Sequence, residues 1–173
     1  PQTLPDGLVQ AEGGIDLDPD SDLWSLPVSL VRFGVSERVE LQLGWGGVTL
    51  VPSADDNVND LFVNSKLAVR EQSGLIPNIG LQVGASVPVE DDRALGDSQI
   101  TGGFLWSYDV DGRFGLFGTA TLISSELDGD GDATLTNAVG ISKGLTPRVG
   151  SFIEMFSSFN DKTGDGHVID FGF

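Results

Sequence analysis

The chain contains no cysteine, which excludes a disulfide framework and cysteine-ligated zinc. It contains one histidine, His167. A serine–histidine–aspartate triad would have to use it, and no Gly-x-Ser-x-Gly turn is present. Cations are also scarce: 9 Lys and Arg stand against 26 Asp and Glu, for a net charge of −17. No basic stripe exists to meet phosphates, so nucleic acid is not an expected partner. No apolar run reaches the roughly 18 residues that a membrane helix needs. The sequence opens at Pro1 without Met, a basic segment or an apolar segment, so a signal peptide is expected to have been removed or to lie outside it. The 173 residues are enough for one domain, 1–173, and too few for two ordinary ones.

What the sequence does have is glycine, 24 residues of it, and apolar residues at every second position. In 77–88, Ile79, Leu81, Val83, Ala85 and Val87 fall on one face. Asn78, Gly80, Gln82, Gly84 and Ser86 fall on the other. In 61–70, Leu61, Val63, Leu67 and Val69 oppose Asn64, Lys66, Ala68 and Arg70. In 39–45, Val39, Leu41, Leu43 and Trp45 oppose Glu40, Gln42 and Gly44. Such alternation predicts strands with one apolar and one polar face. About ten such segments occur, near 8–18, 25–35, 38–51, 60–71, 77–89, 99–110, 113–126, 132–144, 148–159 and 166–173.

The connections between them alternate in kind. Those at 34–38, 72–77, 110–113 and 144–148 are tight. Those at 18–24, 52–60, 88–99, 126–132 and 160–166 are acidic and often longer, and hold 16 of the 26 acidic residues. In an up-and-down meander, every second connection lies at the same end. One end would then carry tight turns and the other acidic loops, the asymmetry of outer-membrane barrels. The expected fold is all-β: an antiparallel meander closed into a transmembrane β-barrel of about ten strands.

Alternation alone does not say which face is inside. A soluble barrel turns its apolar face inward, and a membrane barrel turns it toward lipid. Three features favour the membrane. Charges of both signs (Glu12, Arg32, Glu40, Lys66, Arg70, Glu154, Asp170) sit in mid-strand on the polar face, able to pair inside a lumen. That face is otherwise rich in small residues, which suit a narrow interior. A strand of about 11 residues rises ~36 Å and, at a tilt of ~45°, spans ~25 Å, the height of an outer-membrane apolar band. Trp24, Trp45, Trp106 and Tyr108 lie toward strand ends, where interfacial girdles form, although ordinary core or surface aromatics would look the same.

Several segments also resemble a known family. The run S-L-V-R-F-G-V-S-E-R-V-E-L-Q-L-G at 29–44 resembles a strand hairpin of outer-membrane proteins assigned a transport role in the meta-pathway of phenol degradation. The segments P-Q-T-L-P-D-G-L-V-Q-A-E-G-G at 1–14, S-F-I-E-M-F at 151–156 and V-I-D-F-G-F at 168–173 are similar to its first and later strands. The resemblance implies a barrel that passes small, often aromatic, compounds across the outer membrane. It places Arg32, Glu40, Glu154 and Asp170 on the lumen side. The family pattern usually continues past the equivalent of Phe173 with another hairpin, which implies a fragment or a shortened barrel.

The candidate site is therefore a lumen network of Arg32, Glu40, Lys66, Arg70, Glu154 and Asp170. Lys66 and Arg70 are expected to neutralise Glu40, Glu154 and Asp170. Asp128, Asp130 and Asp132 have the alternate spacing of a calcium loop but lack its closing Glu, so an acidic hairpin tip is the simpler reading. Gly44-Trp-Gly-Gly47 precedes no helix pattern and is not a phosphate loop. Nothing raises Glu40 with Glu154 or Asp170 from a structural network to a hydrolase pair. The sequence predicts a non-enzymatic outer-membrane channel without cofactor. Its partners would be outer-membrane lipid, lipopolysaccharide and a small apolar or aromatic solute. A secreted barrel binding an apolar ligand and a structural barrel without flux are the alternatives.

Overall fold

The computed structural model describes residues 2–18, 23–51, 57–89, 98–127, 130–146, 149–162 and 164–172. Among them there is no helix. The strands are β1 (Val9–Asp18), β2 (Leu23–Ser36), β3 (Val39–Trp45), β4 (Val48–Leu50), β5 (Asn57–Val58) and β6 (Leu61–Arg70). They continue with β7 (Asn78–Val87), β8 (Gln99–Asp109), β9 (Phe114–Leu127), β10 (Asp130–Thr146), β11 (Val149–Asn160) and β12 (Gly166–Gly172). All twelve belong to one antiparallel sheet.

Twelve strands replace the expected ten because two of them are broken. β3 and β4 both pair with β2, end to end along it, and β5 and β6 pair with β4 and β3 respectively. The break falls at Gly46–Gly47 and Asn59–Asp60. Gly47 takes φ 77°, a left-handed conformation that favours glycine. Asn59 clamps the kink: its Nδ2 donates to the Gly46 carbonyl at 2.8 Å and to the Thr49 hydroxyl at 2.9 Å. The indole of Trp45 donates to the Asn59 carbonyl at 3.0 Å. Asn59→Ala removes both side-chain bonds and should cost about 1–2 kcal/mol. The check is a lower denaturant midpoint with an unchanged slope.

The antiparallel meander is as expected, and its two edge strands are not joined to each other among the described residues. β1 pairs with β2 and β12 with β11, and neither has a second partner among the described residues. The sheet is nevertheless strongly staggered. One cross-strand row runs from Gln10 through Arg32, Gln42, Asn64, Gly84, Thr101, Ile123 and Thr134 to Asn160. It begins one residue inside β1 at the tight-turn end. It finishes at the last residue of β11, at the acidic end.

The faces follow the alternation. Val83 is 59 % exposed, Leu81 47 %, Leu122 52 % and Ile153 52 %. These residues pack side by side, in cross-strand rows such as Val39–Leu67–Leu81–Phe104. Ala138 is the one buried hydrophobic residue among those described, whereas Glu40, Gln42, Ser157 and Asn160 are buried polar residues. That inverts the usual arrangement, in which apolar side chains fill the interior. The glycines of the polar face serve its packing. Phe62 lies over Gly44, Phe117 over Gly140 and Phe152 over Gly172, each directly across the strand pair, where a Cβ would overlap the ring.

Candidate functional site

The polar face brings Arg32, Glu40 and Lys66 together. Glu40 lies opposite Lys66 on β6 and opposite Gly34 on β2. Arg32 is its diagonal neighbour, two residues from Gly34 on the same face. The Arg32 guanidinium grips the carboxylate with two bonds: Nε donates to Oε1 at 2.8 Å and Nη2 to Oε2 at 2.9 Å. Such forked pairs combine charge with fixed geometry. The Gln42 amide donates to Oε1 at 2.6 Å, and Lys66 Nζ stands 3.8 Å from the same oxygen. On its other side Arg32 Nη1 donates to Glu12 at 3.3 Å and Gln10 at 3.4 Å.

Glu40 is fully buried. Its last donor is the backbone N–H of Leu4, 2.7 Å from Oε2. The segment 2–8 ahead of β1 therefore crosses the polar face above Gly34. Here a Cβ at position 34 would overlap the carbonyl oxygen of Pro5. With two cations, one backbone donor and one amide donor around it, the carboxylate is a satisfied buried charge.

The remaining candidates lie elsewhere, which corrects the expectation of one network. Arg70 makes no ion pair with any described carboxylate. It lines a cavity of about 420 Å³ at the tight-turn end with Gln2, Thr3, Glu37, Gln72 and Asn78. Glu154 and Asp170 sit directly opposite each other on β11 and β12 and make no ion pair with any described cation. Lys66 thus reaches only Glu40, and neither Lys66 nor Arg70 neutralises the Glu154–Asp170 pair.

A second cavity of about 290 Å³ adjoins the first, lined by Gln2, Asn78, Tyr108, Arg113, Phe117 and Ser142 among others. The turns around it are stapled. The Gln72 side chain donates to the Asp109 carbonyl at 2.8 Å and accepts from the Asp109 N–H at 2.7 Å. Asp111, in the β8–β9 turn, accepts from the backbone N–H groups of Phe114 and Arg113. These bonds hold its carboxyl below the usual aspartate range.

At the acidic end, Asp132 accepts from Asn160 Nδ2 at 3.1 Å, and the same amide reaches the Thr134 hydroxyl at 2.6 Å. Asp130 lies within β10 and Asp128 lies outside the described residues. Among the described residues no three carboxylate or imidazole groups gather as metal ligands. His167 faces the apolar side, bonded to the Ser157 hydroxyl at 3.0 Å and edge-on to Phe159. The aromatic residues fall at both ends: Trp24 and Trp45 toward the acidic loops, Trp106 and Tyr108 toward the tight turns.

Sequence reasoning missed Gln10, Gln42 and Leu4. Parity alone places Gln10 and Gln42 on the polar face, and strand register would have joined them to Arg32. The Leu4 contact is made by a backbone amide, which leaves no side-chain signature. Compared with models of protein families, with characterised proteins and with solved structures, the chain matches none.

Proposed function

We propose that the chain forms a transmembrane β-barrel of a Gram-negative outer membrane and passes small apolar or aromatic solutes along its polar face. The observation that carries this reading is the inversion of the two faces. A continuous surface of half-exposed Leu, Val, Ile and Phe lies on one side of the sheet, and the other side is polar, bears charge and buries Glu40. In water such a surface is an aggregation hazard, whereas in a bilayer it is the required exterior.

Other features support it. Nine antiparallel steps separate β1 from β12, so the two free edges run in opposite directions and suit antiparallel closure. The stagger of the Gln10–Asn160 row is the shear that closing a sheet requires. The two groups of aromatic residues stand where interfacial girdles would lie. Tight turns at one end and acidic connections at the other fit periplasmic turns and outer loops. In this reading solute passes the Arg32–Glu40–Lys66 cluster, with Arg70 at the turn-end mouth and Glu154 and Asp170 on β11 and β12, which closure would bring beside β1. The aromatic substrate class rests on the sequence resemblance to phenol-pathway outer-membrane proteins. No catalytic step is part of the proposal.

The close packing around Glu40 favours one other reading, a structural outer-membrane barrel without flux. A secreted barrel holding an apolar ligand would need the apolar face inside, and the exposure of Val83 and its neighbours stands against that.

The test is expression behind a signal peptide, followed by membrane fractionation and gel migration with and without boiling. The expected result is recovery in the outer membrane with a folded band that shifts on boiling. Solute flux into liposomes then separates transport from the structural reading. A periplasmic product that needs no detergent would overturn the membrane assignment.

A further inference from the structure

We infer that the segment Gln2–Asp6 is a displaceable latch that closes the turn-end mouth of the polar interior, held by the Glu40 carboxylate. The inference rests on the channel reading. Three contacts define the closed position. The Leu4 N–H donates to Glu40 Oε2 at 2.7 Å. The Thr3 hydroxyl donates to the Glu37 carbonyl at 3.1 Å. The Pro5 carbonyl lies against Gly34, in space that any Cβ would take. Beyond these, Gln2 reaches the far side of the mouth. It lines both turn-end cavities, whose other walls come from β6, β7, β8, β9 and β10. The segment thus bridges from the β2–β3 hairpin to the opposite wall.

The anchoring is well suited to release. Behind the latch, Gly7 takes φ 75°, and reciprocal bonds of 2.9 Å join Gly7 N–H to the Gly34 carbonyl and Gly34 N–H to the Leu8 carbonyl. That turn fixes a hinge. Ahead of it, the latch is held by one strong bond, and breaking this bond leaves Glu40 with both cations and Gln42. The carboxylate therefore stays paired whether the latch is in or out, which keeps the cost of opening small.

The chain has no cysteine, so one introduced at Ala68, half-buried in the cavity that Gln2 and Thr3 also line, is a unique label site beneath the latch. The experiment uses the full chain folded in liposomes, carrying Ala68→Cys, and a membrane-impermeant maleimide as the probe. Leu4→Pro deletes the donor, and Gly34→Ala fills the seat of the Pro5 carbonyl. Both substitutions leave Arg32, Glu40 and Lys66 intact. Each should speed labelling about tenfold, the population shift expected from losing one charge-assisted bond. Each should also raise ion conductance in planar bilayers. A separate Thr3→Cys, Glu37→Cys pair should lower conductance when oxidised and restore it when reduced. Labelling that is equally slow in both variants overturns the latch. Faster labelling with unchanged conductance, in a chain that conducts, overturns its gating role. Faster labelling in a chain that never conducts overturns the channel reading instead.

Discussion

Arginine at position 83 is expected to block assembly, while arginine at position 121 is tolerated. Val83 is central in β7, points to the apolar side and is 59 % exposed. On a protein surrounded by water, a substitution at so exposed a site changes stability by no more than about 0.5 kcal/mol. On the lipid face of a barrel near the bilayer midplane, arginine costs about 2–4 kcal/mol. Thr121 is comparably central in β9 but faces the polar side, between Gly103 and Thr136. An added cation there meets hydroxyls rather than lipid. The measurement is the fraction of each variant that shows the heat-shifted folded band in the outer membrane. Equal yields for Val83→Arg and Thr121→Arg would remove the argument that the apolar face meets lipid. A lower yield for Val83→Arg alone supports it with no assumption about solute.

Loss of Glu40 is the second large effect. Glu40→Ala leaves Arg32 and Lys66 buried without their shared counter-charge, and breaking such a pair costs about 3–5 kcal/mol. Arg32 keeps Glu12, which is more exposed and only singly bonded, so the loss is not made good. Glu40→Gln should fare little better. Its amide offers one acceptor oxygen to the four donors that now converge on the carboxylate. The double variant Arg32→Met, Glu40→Leu should be less damaging than Glu40→Ala alone, because no charge of the forked pair is stranded. Urea unfolding in detergent micelles reads all four proteins. If the double variant is as unstable as the sum of Arg32→Met and Glu40→Leu, each measured alone in the same way, the cluster is not a coupled unit.

The latch and the Glu40 cluster make separable contributions. Glu40→Ala perturbs both, whereas Leu4→Pro and Gly34→Ala act at the segment above and leave Glu40 its bonds to Arg32 and Gln42. A conductance change in the latch variants without a stability change therefore assigns gating to the segment. A stability change with unaltered labelling assigns the segment a packing role.

Much of this architecture was legible in the order of residues. Side chains on a strand alternate with period two, a purely local rule. Leu61–Val63–Leu67–Val69 and Asn64–Lys66–Ala68–Arg70 therefore declared both the strand and its two faces. Turn chemistry is local as well, and it separated the tight connections from the acidic ones. The kink at Gly46–Gly47 was missed although the apolar positions change parity there, from Val39, Leu41, Leu43 and Trp45 to Val48 and Leu50. What breaks the strand is a clamp from Asn59, on a different segment.

Which charges meet was decided only by tertiary structure. Arg32, Glu40, Lys66, Glu154 and Asp170 share the polar face by parity, but their grouping depends on register summed across the sheet. The row through Glu40 passes Lys66, Gln82, Gly103, Thr121, Thr136 and Ser158, and reaches β12 at Gly166. Asp170 and Glu154 lie further along their strands and on the far side of the sheet, so they pair with each other's position and not with Lys66. The residue types and their alternation were fixed one strand at a time. The site depends on how far each strand slides past the next, and on a backbone amide at Leu4 that no side chain announces.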